Sequence, residues 1–61
     1  MYMVRFIRQD GQPNEEYFYN NQLDAEHHLN LFRNDDSNLY DRIELLRIEN
    51  VRETMIEAIQ F

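Results

Sequence analysis

Residues 15–24 have the sequence EEYFYNNQLD and mark the point where the pattern of the chain changes from strand to helix. The first half, Glu15–Tyr19, is rich in aromatic residues that favour β-strands. Asn21 then precedes Asp24 by three positions, a variant of the capping box that begins an α-helix. This stretch therefore predicts a strand followed directly by a helix.

The preceding residues, 1–8, alternate in the manner of a second strand. Tyr2, Val4 and Phe6 fall on one apolar face, whereas the other face is mixed. Between the two strands lies the segment 10–14, whose Asp-Gly pair and proline favour a turn and interrupt a strand. The N-terminal third therefore predicts a β-hairpin.

The helix is predicted from about Gln22 to Arg33. At 100° per residue, four residues share one face that can pack on a sheet. They are Ala25, His28, Leu29 and Phe32. The polar segment 34–38 then predicts a loop, because its side chains compete for local backbone hydrogen bonds. A third strand is predicted from Leu39 to Ile48, with a β-bulge near Leu45 where the apolar alternation shifts phase.

Residues 51–61 allow two interpretations. The favoured one is a fourth strand, paired to the third through a turn at Glu49-Asn50, which gives the order ββαββ. The alternative is a C-terminal helix, because Val51, Met55, Ala58 and Ile59 share a helical face. In either case the sequence predicts a single small α+β domain over residues 1–61, with an antiparallel sheet of three or four strands against one amphipathic helix.

Size and charge limit the possible functions. A chain of 61 residues without cysteine lacks disulfides and has little core, so we expect close packing or oligomerisation, most simply a homodimer. A net charge of −6 disfavours direct binding to nucleic acid, which needs a basic surface. No apolar run is long enough to span a membrane and no leader is evident, so a cytoplasmic protein is expected.

No chemistry-bearing motif stands out in the sequence. His27 and His28 are adjacent on the helix and point about 100° apart, so they cannot bind one metal ion together. The hydroxyl residues Ser37 and Thr54 have no recognisable nucleophile context. We therefore expect no catalytic, cofactor or metal site, and a protein that is not an enzyme.

Aromatic residues give the strongest functional signal. Strand alternation places Phe18 on the face opposite Tyr17 and Tyr19. If one helix covers only one face of the sheet, aromatic area stays exposed on the other, and such area is typical of an interface. The sequence thus suggests a non-enzymatic protein–protein interaction module that binds a second copy or another protein through Tyr17 and Tyr19 on the uncovered face.

Acidic residues suggest a second hypothesis. Asp35, Asp36, Asp41 and Glu44 form part of an acidic second half, which is most simply a solvated surface. The alternative is a nucleic-acid mimic that occupies the basic groove of a DNA- or RNA-binding protein and inhibits it. Phages and other mobile elements encode inhibitors of this kind against host defence.

Overall fold

A computed structural model describes residues 1–61 and contains four strands and one helix. In chain order these are β1 (Tyr2–Arg8), β2 (Glu15–Tyr19), α1 (Gln22–Leu31), β3 (Tyr40–Glu49) and β4 (Arg52–Gln60). The order ββαββ confirms the predicted α+β fold. The C-terminal segment is a strand, because it pairs along its length with β3.

All four strands belong to one antiparallel sheet with the order β2-β1-β3-β4. Since β1 is antiparallel to both of its neighbours, β2 and β3 run parallel, and α1 connects them across β1. The helix packs against β1, β2 and β3. The sheet therefore has one face covered by α1 and one face without a covering layer, called here the uncovered face.

The main core lies between α1 and the covered face. It consists of Val4, Phe6, Ala25, Leu29, Ile43, Leu45 and Ile59. Tyr2, Tyr19, Phe32 and Tyr40 pack around its margin. The predicted apolar face of β1 thus forms the centre of this core, because β1 is one of the two inner strands.

The helix begins at the predicted cap. The Asn21 side-chain oxygen accepts a hydrogen bond from the Asp24 backbone N–H at 2.9 Å, and its amide nitrogen donates to the Asp24 carboxylate at 3.0 Å. The helix ends two residues earlier than predicted, at Leu31. The Phe32 backbone N–H donates to the Leu29 carbonyl at 3.1 Å, which tightens the last turn.

The predicted β-bulge lies at the expected position along the β3–β4 pair, but the extra residue belongs to β4 and not to β3. Leu45 pairs with Glu57 and Leu46 pairs with Met55, so the extra residue is Ile56 in β4. From Arg42 to Glu49, β3 itself alternates without a phase shift, and its own irregularity lies at Asp41, where the register with β1 shifts. The sequence pattern was misleading because β3 buries Leu45 on the covered face and Leu46 on the uncovered face.

The helix α1 has ten residues, and no helix is long and apolar enough to cross a membrane.

Candidate protein interface

Tyr17 and Tyr19 do not lie on the uncovered face, so that prediction was wrong. Tyr17 pairs with Val4, and Tyr19 pairs with Tyr2, in the antiparallel β1–β2 hairpin. Paired residues share a face, and the apolar face of β1 is the one beneath α1. The ring of Tyr17 consequently lies 5.0 Å from the ring of His28 on the helix.

His28 is the centre of an aromatic cluster at the margin of the core. The Tyr19 hydroxyl and His28 Nδ1 form a hydrogen bond of 2.7 Å. The rings of Phe6, Tyr17 and Phe32 lie 5.2, 5.0 and 5.8 Å from the imidazole. Burial among these rings lowers the pKa of His28 from its ordinary value of 6.5, because a charged imidazolium loses hydration there.

The stability of the fold should therefore fall when His28 becomes protonated. The pKa of His28 in the folded chain is below 6.5. Its contribution to the free energy of unfolding is therefore fully present above pH 6.5 and is lost as the pH falls through the folded-state pKa. We expect His28→Gln to reduce the loss of melting temperature between about pH 7 and about pH 5. His27→Gln is the matched control, since His27 is exposed, and it should keep the full loss. An unchanged pH profile in His28→Gln would contradict the assignment.

The uncovered face carries an apolar row, one residue from each strand. In sheet order the row is Phe18, Met3, Leu46 and Met55. Its two central residues are buried, at 2% and 4% exposure, whereas its ends, Phe18 and Met55, are 55% and 47% exposed. The row therefore presents exposed apolar area at both edges of the sheet. Phe18 is the aromatic residue of β2 that belongs to this face, in place of the predicted tyrosines.

A charged row runs beside the apolar row, at the next position on the same face of each strand. In sheet order it consists of Glu16, Arg5, Glu44 and Ala58. Glu44 is only 3% exposed and lies between two arginines. Arg5 Nη1 is 3.5 Å from Glu44 Oε1, and Arg42 Nη2 is 2.9 Å from Glu44 Oε2. Two charges of opposite sign thus replace an apolar layer at the centre of this face.

Arg5 extends from the charged row across the face. Its Nη2 donates to Glu53 Oε1 at 2.7 Å, and its Nε lies 3.5 Å from Glu16 Oε2. Because Arg5 is on β1 and Glu53 is on β4, this side chain lies over the intervening strand β3. The distance to Glu44 is longer than the ~2.7–2.9 Å of a charge-assisted hydrogen bond, so the guanidinium keeps capacity for another acceptor.

The four predicted acidic-surface residues are not equivalent. Glu44 is buried and ion-paired, so its assignment to an exposed acidic surface was wrong. The sequence could not reveal this, because the burial of Glu44 depends on its contact with Arg5, which lies on the neighbouring strand β1. Asp36 and Asp41 are exposed, and Asp35 accepts a hydrogen bond from the Ser37 hydroxyl. The mimic hypothesis stays a prediction that depends on these three aspartates.

The remaining surface has two open depressions. One is formed by the β3–β4 turn, residues 49–52, and the other lies along the outer side of α1 beside Leu23 and His27. No group of three or more histidine, aspartate or glutamate side chains could hold a metal ion.

Fold and site together define a small α+β protein with one covered and one uncovered sheet face. No protein-family model, no curated protein and no solved structure matches this chain. The geometry of the uncovered face is therefore the basis for a functional proposal.

Proposed function

We propose that this chain is a small non-enzymatic protein-interaction module that forms a homodimer through the uncovered face. The observation that carries the proposal is the apolar row, whose exposed ends Phe18 and Met55 continue a buried centre. Exposed apolar area that is continuous with a buried cluster and flanked by polar groups is typical of an interface. Removing it from water would stabilise a domain whose single covered core is small.

Charge favours a second copy as the occupant. The uncovered face carries two arginines, Arg5 and Arg42, and three glutamates, Glu16, Glu44 and Glu53, which gives a net charge of −1. The whole chain has a net charge of −6. Most of the excess negative charge therefore lies elsewhere. Two copies of an acidic protein repel each other least when they meet through the face with the smallest net charge.

The size of the face also fits a dimer. The molecule measures 32 × 21 × 15 Å. The two longer dimensions match strands of up to ten residues at ~3.3 Å per residue and four strands spaced ~4.8 Å apart. The product of these two dimensions is about 670 Å² in outline, close to the roughly 800 Å² that each partner contributes to a standard protein interface. The outline of the uncovered face is thus of the same order as one side of a standard interface, which supports the proposal.

Sedimentation equilibrium on the purified chain tests the proposal. We expect a dimer at both low and moderate salt, because the contact is apolar and the charges of the face are paired within each copy. A monomer at every protein concentration would contradict it. A dimer that forms only at low salt would point to an electrostatic contact instead of the apolar row.

A further inference from the structure

We infer that the contact between Arg5 and Glu53, called here the strap, covers the centre of the apolar row and must open before two uncovered faces can pack fully against each other. Because the strap regulates the face proposed above for dimerisation, this inference rests on the proposed function. The observation behind it is that Leu46, at the centre of the row, is buried although no helix lies over it.

The burial of Leu46 is unusual for its position in the sheet. Leu46 is 4% exposed. Ile7 and Ile48 are apolar residues of the same face on the two inner strands, and both are partly exposed. Partial exposure is the normal state of a sheet face that has no covering layer. Some other group of the chain therefore shields Leu46 from water.

The strap lies where such a group is needed. Arg5 on β1 pairs with Glu44, which is two residues before Leu46 on β3. Glu53 on β4 pairs with Ile48, which is two residues after Leu46. The line from Arg5 to Glu53 therefore crosses β3 at Leu46, and the Arg5 Nη2 donates to Glu53 Oε1 at 2.7 Å. The apolar stem of an arginine covers aliphatic surface while its head remains paired.

The strap can open because its outer end is in contact with water. The side chains of Arg5 and Glu53 are 17% and 48% exposed, and an exposed ion pair shifts an equilibrium by only up to about fivefold. Opening uncovers Leu46 and enlarges the apolar area that a second copy can bury. If binding needs the open state, the apparent affinity is reduced by the open fraction, once for each copy. The strap thus weakens the homodimer while it shields the apolar centre of the single chain.

Thiol labelling tests whether the strap covers Leu46, since the native chain has no cysteine. Leu46→Cys places a single thiol beneath the strap, where a maleimide dye reaches it only in the open state. At a dilution where the chain is monomeric, adding Glu53→Ala should raise the labelling rate about threefold to fivefold. Equal rates with and without Glu53→Ala would overturn the inference.

Two matched controls remove one negative charge and leave the strap in place. Glu57 is on the same strand as Glu53 and also pairs with an arginine at 2.7 Å, but its neighbour Leu45 belongs to the covered core. Glu16 is on the uncovered face, in the charged row beside Arg5. Glu57→Ala and Glu16→Ala should each keep the labelling rate within about twofold. A rise equal to that of Glu53→Ala in either control would also overturn the inference.

Sedimentation equilibrium on chains without the cysteine measures the effect on association. Since both copies must open, Glu53→Ala should lower the dissociation constant of the proposed homodimer about tenfold relative to Glu16→Ala. An unchanged or higher dissociation constant overturns the role of the strap in association but leaves the homodimer intact. A chain that stays monomeric at every concentration overturns the proposed function, and the labelling rates still decide whether the strap covers Leu46.

Discussion

The double variant Phe18→Glu with Met55→Glu is expected to convert the proposed homodimer to a folded monomer. Both side chains are about half exposed in the single chain, so the substitutions remove little of its own packing. In the dimer, each would place a carboxylate in a desolvated apolar contact. Truncating an interface hot spot costs about 2 kcal/mol or more, so two charged substitutions at the exposed ends of the apolar row should raise the dissociation constant at least about 100-fold. Sedimentation equilibrium measures this change.

Leu23→Glu with Leu31→Glu is the matched control. These leucines are 74% and 68% exposed on α1, outside the uncovered face, and their replacement changes the net charge by the same amount. Glutamate also suits a helix. This control should remain a dimer, and circular dichroism melting should show that both double variants are folded. Equal weakening of both would mean that net charge, not the apolar row, governs association.

Removal of the Glu44 carboxylate is expected to give the largest loss of stability on the uncovered face. Glu44→Ala would leave Arg5 and Arg42 close together without the anion between them. Breaking a buried ion pair from one side costs about 3–5 kcal/mol, and the partial exposure of Arg42 places this case near the lower value. A 61-residue domain has a free energy of unfolding of about 3–9 kcal/mol, so this variant should lose a large part of it.

Urea denaturation at one fixed protein concentration measures this loss, since the apparent stability of a dimer depends on concentration. Glu49→Ala is the matched control. Glu49 also pairs with an arginine, Arg47 at 3.1 Å, but both side chains are exposed. Exposed pairs contribute about 0–1 kcal/mol, so this variant should be close to native. Equal effects in the two variants would show that Glu44 is not held as a buried counter-ion.

Local features were predictable wherever neighbouring residues decide the structure. The Asn21–Asp24 cap starts the helix because the hydrogen bonds join residues three apart. The turn at residues 10–14 and the full extent of β2 follow from glycine, proline and aromatic strand residues in the same short stretch. The β3–β4 turn places Asn50 at φ 57°, a conformation that asparagine tolerates better than most residues.

The candidate site was only partly predictable. Alternation along β2 correctly separated Phe18 from Tyr17 and Tyr19, but it did not say which side α1 would cover. The hairpin register contained the missing signal. Because Tyr17 pairs with Val4, it had to share the most apolar face of β1, which is the natural side for the helix. The second apolar cluster, Met3 with Leu46, becomes visible only once β1 and β3 are known to be neighbours.

The sequence by itself determined the number and order of the elements through to β3, the cap of α1 and the alternation of each strand, because these depend on contacts within a few residues. The tertiary structure decided that β4 is a strand, which face each strand turns toward α1, and that Glu44 is a buried counter-ion rather than a surface acid. Those outcomes depend on residues distant in the chain. The pairing of β3 with β4 and the meeting of Arg5 with Glu44 exist only after the sheet has formed.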